Sequence, residues 1–202
     1  GIKSIEHGPF LTEDTLKLMA KEDVWLSPQA YLFQMTPESL RIVGTPAEPK
    51  MRKVNNESDQ VLKTAKRLGV TIAWGTDLFG PLPKQALQPL EFTARQKYFS
   101  NVEILRQATS GNAELFALSG KRHPYQEGEL GVIKVGAYAD LLLVDGNPLE
   151  DASVIGAVPV WHAAPPRDGV ETIRSSGRPS RSGRQALGEL SPSCTKRSTG
   201  IA

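Results

Sequence analysis

The sequence predicts an α/β fold with parallel strands, and three observations predict it. Short apolar, β-branched runs alternate with amphipathic stretches, in the order strand, helix, strand, helix, strand over residues 2–74. Residues 69–80, Gly-Val-Thr-Ile-Ala-Trp-Gly-Thr-Asp-Leu-Phe-Gly, hold a five-residue apolar run bounded by glycines, the pattern of a strand buried on both faces. At Glu127 the texture changes to short β-rich runs with glycine turns, which reads as a separate small β element. Alternation with helix-length crossovers implies parallel neighbours joined right-handedly.

Residues 2–7 form an extended run stopped by Gly8-Pro9, which leaves His7 at the tip of the first strand. Thr12 is positioned to cap a helix over 13–21, with Glu13 and Asp14 in its first turn and Leu16, Met19 and Ala20 on one face. Residues 24–27 are the second strand, stopped by Pro28. Residues 29–56 contain Pro37, Pro46 and Pro49 and read as a long loop, of the sort used as a lid. Residues 57–68 form the next helix, with Val61, Leu62, Ala65 and Leu68 on one face and Gly69 as its C-cap. After the glycine-bounded strand, residues 84–98 read as a helix interrupted at Pro89. Two more helices are expected over 101–108, capped by Asn101, and over 110–118, capped by Ser110. Beyond them, residues 130–135 and 139–144 read as strands joined at Gly136-Ala137, and 170–173 as one more. Trp25 and Trp74 are most simply core residues.

Charge is unevenly spread. Over 175–202 there are five Lys or Arg, one acid and 11 Ser or Gly, the composition of a disordered tail. The chain as a whole is +2, which leaves residues 1–174 at −2, with no nucleic-acid footprint. No apolar run approaches membrane-spanning length. Cys194 is the only cysteine, which excludes an internal disulfide; a cytoplasmic location is the expectation. The chain begins at Gly1 and enters a strand almost at once, as a piece of a longer protein would.

Asp77 ends the glycine-bounded strand, where ligands and chemistry sit in α/β architectures. A Gly-Thr-Asp there also serves as a turn or helix cap, and both roles stay open from the residues alone. His7, at the end of a neighbouring strand, has the same two readings. His123, His162, Asp140 and Asp145 read as loop or strand-edge residues.

Three stretches in order resemble the metal-dependent amidohydrolase superfamily, in its imidazolonepropionase-like and Xaa-Pro-dipeptidase-like branch. They are GIKSIEHG at 1–8, GVTIAWGTD at 69–77 and GELGVIKVGAYADLLLVDGNPLED at 128–151. EILRQATSGNAELFALSG at 103–120 is similar to the helical segment before that family's C-terminal β element. The resemblance implies a partial (β/α)8 TIM barrel, its last three βα units, at 1–126. A small β-sandwich-type element would follow at 127–174 and a basic tail at 175–202.

It also implies a site. His7 corresponds to the sixth-strand histidine and Asp77 to the eighth-strand aspartate, both ligands of one or two divalent metals, most simply zinc. Asp77 would take a proton from metal-activated water and pass it to the leaving nitrogen, and His7 would be a ligand or would polarise the carbonyl. By position alone, Tyr31 and Phe33, just after the second strand, read either as lining a substrate pocket or as core or loop packing. The expected substrate is a small amide, cyclic amide or dipeptide. Strands one to five, with the remaining ligands, have no counterpart here, so this chain alone is expected to be inactive. The expected partners are a complementing N-terminal half or a second copy; no membrane or nucleic-acid partner is expected. After residues 170–174 the sequence leaves the family's pattern, as a reading-frame change or an unrelated end would.

Overall fold

The computed structural model describes residues 1–80, 82–156, 161–167 and 170–175. It divides into two units. The first comprises Gly1–Tyr138 with Gly146–Ala157, the second Ala139–Asp145 with Val158–Ala202.

In the first unit, β1 (Ser4–Glu6) leads through α1 (Glu13–Lys21) to β2 (Trp25–Ser27). β1 and β2 are parallel, with Ile5 opposite Leu26. Then come α2 (Ala30–Gln34) and α3 (Ala47–Leu68), after which the chain returns to the free edge of β2. There Leu26 N donates to Thr71 O and Ala73 N donates to Leu26 O, each at 2.9 Å, a parallel bridge centred on Ile72. Three strand segments thus run side by side in one direction, and their C-terminal ends lie at one rim.

Local chemistry explains the helices. Thr12 Oγ1 accepts from Thr15 N at 3.3 Å and starts α1, which buries Leu16 and Met19. α3 buries Val61, Leu62 and Ala65 and ends at Gly69, whose φ of 73° is the left-handed conformation that favours glycine. Leu16, Met19, Leu26, Val61, Leu62, Ala65, Val70, Ile72, Phe92 and Ile104 belong to one core. Trp25 is buried; Trp74 is half-buried against this core, packed on Phe92 at 4.9 Å between ring centres.

Several elements differ from the sequence reading. The expected loop over 29–56 holds α2 and the first ten residues of α3, with turns over 35–46 between them. α3 begins ten residues early because Pro46 sits at its N-cap and Pro49 in its first turn, where a missing N–H costs no helical bond. Pro89 does break the next helix, into α4 (Leu82–Gln85) and α5 (Leu90–Arg95). Ser100, not Asn101, caps α6 (Asn101–Arg106): its hydroxyl accepts from Glu103 N, and Glu103 Oε2 accepts from Ser100 N at 2.6 Å. Ser110 caps nothing. A π-turn over Gln107–Gly111 carries α6 into α7 (Asn112–Ala117) without a break. Asn112 then grips the main chain of Trp74, accepting from its N–H at 2.9 Å and donating to its carbonyl at 2.7 Å.

In the second unit, β3 (Leu141–Leu143), β4 (Trp161–Arg167) and β5 (Val170–Ser175) form an antiparallel sheet in that order. Residues 130–135 are turns and bends rather than a strand. The register of β4 on β5 shifts between Ala164 and Arg167, where Pro165 and Pro166 have no N–H to give the ladder. The tail expected to be disordered falls, after Ser175, outside the described residues. No helix among the described residues is long and apolar enough to cross a membrane.

The deepest feature of the first unit is ionic. Glu91 and Arg95, four residues apart on α5, are fully buried, with Arg95 Nε donating to Glu91 Oε1 at 2.7 Å. Glu91 also accepts from the N–H groups of Ala30 and Tyr31 at 2.9 and 2.8 Å. Arg95 donates to Ala73 O, Pro28 O and Gln107 Oε1 at 2.9, 2.8 and 2.7 Å. Burial pushes the Glu91 carboxyl up and the Arg95 guanidinium down, and the contacts between them oppose both shifts. Removing one member leaves the other charge stranded. Arg95→Met should therefore cost about 3–5 kcal/mol. Urea unfolding followed by circular dichroism measures this, and a loss below about 1 kcal/mol would contradict the role given to the pair.

A second cluster is titratable. Asp59 lies between Lys63 Nζ and Lys97 Nζ, each at 2.6 Å, and accepts from the Tyr98 hydroxyl at 3.0 Å. Burial pushes its carboxyl up, but these three donors outweigh burial and hold it at about 2, below the ordinary 3.8. A depressed folded-state pKa stabilises above the unfolded value and loses that contribution as pH falls through the folded one. Asp59→Asn should lower stability by about 1 kcal/mol at neutral pH, after discounting for solvent screening. The difference from wild type should shrink between pH 3.8 and about 2. Parallel urea titrations at pH 7 and near the acid end of that window check the trend.

Candidate active site

The rim formed by the three C-terminal strand ends gathers the polar groups. His7 directly follows β1, Gln29 lies two residues beyond β2, and Asp77 lies three residues beyond Trp74. His7 and Asp77 have φ of 64° and 52°, a conformation uncommon outside glycine that turns the chain sharply as it leaves the sheet. Such backbone positions cluster where side-chain placement matters. Gly8, at φ 63°, completes the first turn. A Cβ there would meet Leu11 Cδ1 at 2.7 Å and Leu26 Cδ1 at 2.9 Å, so any larger residue would have to displace those side chains as well as adopt a φ that favours glycine.

The turns bring two side chains together. His7 Nε2 and Asp77 Oδ2 are 3.9 Å apart, and the side chains are 51% and 42% exposed, at a surface open to solvent. His7 N donates to Ser27 O at 3.0 Å, which ties the turn to β2. Its ring is held from the other side, with Nδ1 2.7 Å from Gln29 Oε1. Gln29 is buried, and its Nε2 donates to Ser27 O at 2.9 Å. Beyond Asp77, Leu78 is buried and its carbonyl accepts from Gln88 Nε2 at 2.9 Å, which anchors the segment that carries the carboxylate.

An imidazole nitrogen and a carboxylate oxygen form a donor set suited to zinc or a similar divalent ion. Two ligands on one tetrahedral ion lie about 3.4 Å apart, so the observed separation needs to close by only about half an ångström. The chemistry and spacing of the pair therefore fit a metal. Among the described residues, however, no group of three or more His, Cys, Asp or Glu side chains is assembled to hold an ion.

The other residues singled out from sequence lie elsewhere. Tyr31 is half-buried at the start of α2 and packs on the core; among the described residues no hydrogen bond joins it to His7 or Asp77. His123 sits in a loop with its ring edge against Tyr125 at 5.5 Å. A groove of about 580 Å³ lined by Phe33, Asn55, Asp59, Lys97 and Tyr98 includes neither member of the pair. Sequence reasoning passed over Gln29, Glu91 and Arg95. The one available signal was Gln29's place just past a strand end, which a glutamine before a helix does not advertise.

The amidohydrolase family's sequence profile matches residues 1–176. Ochratoxinase from Aspergillus niger is 26% identical over 155 residues, 76% of this chain and 30% of the relative. A prolidase solved in complex with N-methylphosphonate-L-proline is 32% identical, with a TM-score of 0.68 over 86% of this chain and 41% of the prolidase. A Xaa-Pro dipeptidase with methionine bound in its active site is 28% identical, with a TM-score of 0.68 over 85% of this chain and 40% of that one. The chain thus spans less than half the length of each of these relatives. With a profile match over most of its length, the chain belongs to the amidohydrolase family.

Proposed function

We propose that this chain carries part of the active site of a metal-dependent hydrolase that cleaves carbon–nitrogen bonds, with His7 and Asp77 as metal ligands. The observation that carries the reading is the 3.9 Å approach of His7 Nε2 and Asp77 Oδ2 at the ends of parallel strand segments. In this reading residues 1–126 are the last three βα units of a (β/α)8 barrel, 127–174 a small β-sandwich-type element and 175–202 a basic tail. Three parallel strand segments with helical crossovers support the first of these.

The substrate class follows the relatives. Prolidase and Xaa-Pro dipeptidase neighbours point to a dipeptide-like amide. A divalent ion, zinc by the chemistry of its ligands, would polarise the scissile carbonyl and lower the pKa of water toward 7. Asp77 would accept a proton from the attacking water at a carboxylate oxygen and deliver it to the leaving nitrogen. A C–O bond forms, the C–N bond breaks, and a carboxylic acid and an amine leave. His7 would be held in place through its Nδ1 contact with Gln29.

Catalytic zinc takes three protein ligands and a water, and the described residues bring two together. The isolated chain is therefore inactive or nearly so in this reading. A second reading is a non-catalytic chain that works only when paired with a partner, either a complementing N-terminal half or a second copy. It is favoured by β1, which among the described residues pairs on one side only.

Zinc titration by chelator competition tests the ligand assignment. His7→Ala and Asp77→Ala should each weaken zinc binding by at least about tenfold, because each removes one of two ligands. Binding equal to wild type in both variants would end the assignment. Hydrolysis of an Xaa-Pro dipeptide should appear only on co-expression with a segment supplying further ligands. Metal-dependent turnover by the purified chain alone would overturn the inactivity.

A further inference from the structure

We propose that Gln29 is a positioning residue that holds the neutral His7 ring as its Nδ1–H tautomer, leaving the Nε2 lone pair directed toward Asp77. The proposal rests on the reading of His7 and Asp77 as ligands, and its physical basis is a chain of donors and acceptors.

Ser27 O is a carbonyl and can only accept. Gln29 presents its amide to that oxygen at 2.9 Å, so the atom facing Ser27 must be the NH2 group. The opposite flip would set two oxygens against each other in a buried position, at a cost of about 1–3 kcal/mol for the unsatisfied group. Gln29 Oε1 therefore faces His7, and at 2.7 Å from Nδ1 it can only accept. Nδ1 carries the hydrogen. In the neutral ring Nε2 is then unprotonated, and Nε2 is the atom 3.9 Å from the Asp77 carboxylate. Ligating histidines commonly have the second ring nitrogen tied in this way, which fixes tautomer and ring orientation.

Gln29 is itself locked in place. It is 3% exposed and stands at the N-cap position of α2, yet its side chain makes no cap hydrogen bond and is committed to Ser27 and His7. The backbone on both sides is gripped by the buried ion pair, with Arg95 donating to Pro28 O and Glu91 accepting from Ala30 N. The orientation of the His7 ring is thus set from the core, through one amide.

Long-range 1H–15N correlation of imidazole nitrogens in the metal-free full chain tests this directly. It is run at about pH 9, well above the range in which imidazoles take up a proton. The chain has three histidines, and His7→Gln identifies the His7 signals. The wild-type ring should show the Nδ1–H pattern. An Nε2–H pattern overturns the proposal without need of any further variant. Gln29→Met should shift the ring toward Nε2–H and weaken zinc binding by about 10–100-fold. If His7→Ala and Asp77→Ala leave zinc binding unchanged, the ligand reading fails while the nitrogen spectra still decide the tautomer. If those two variants lose zinc but Gln29→Met alters neither spectrum nor affinity, the positioning role alone fails.

Discussion

Glu91 and Arg95 tie together the ends of two adjacent strand segments, the start of α2 and the side chain of Gln107. Arg95 reaches the carbonyls of Pro28 and Ala73, where two adjacent strand segments end, and Glu91 receives the first two N–H groups of α2. A buried ion pair is seldom a source of net stability, since the loss of hydration offsets the attraction. Its value here is directional. Five donors and acceptors of the main chain and of Gln107 are satisfied by one guanidinium and one carboxylate. Pulling these segments apart would leave the buried charges and their partners unsatisfied.

The constraint runs outward to the rim. With Pro28 and Ala30 gripped, Gln29 has one place to put its amide, and Ser27 and His7 are in reach of it. With Ala73 gripped and Trp74 held by Asn112, the chain leaves the sheet at a defined point and carries Asp77 toward His7. The positive φ angles of His7 and Asp77 belong to the same design. Each conformation disfavours an ordinary residue, which packing elsewhere must offset. The rim is exposed and the core beneath it is not, so the supporting residues are buried while the facing pair meets solvent.

Where pattern and structure diverge, the causes are local and identifiable. Proline normally argues against a helix, yet Pro46 and Pro49 occupy the cap and first turn of α3, positions where the missing N–H has no acceptor to lose. Ser110 has the chemistry of a cap, but the continuous π-turn around it leaves no helix start to cap. Residues 130–135 have strand-like composition but join no strand among the described residues; β-propensity is realised only on a sheet that offers a register. In the second unit, Pro165 and Pro166 hide a strand whose ladder simply shifts around them.

By itself the sequence determined the alternation of strands and helices, the parallel sense of the first three strand segments, and the family to which the chain belongs. All of these follow from periodicity, glycine punctuation and short motifs, which are local in the chain. His7 and Asp77 stood out for the same reason, each lying at a strand end. Only the tertiary structure decided that they face each other across 3.9 Å, and that Gln29, Glu91 and Arg95 support the rim from beneath. A glutamate and an arginine four residues apart read as a solvated helix face. Their burial depends on which segments, more than 60 residues apart in sequence, fold over them, as the Arg95 bond to Pro28 shows. Periodicity reports which face of a helix is apolar. It carries no record of which polar group that face will meet once the chain has closed around it.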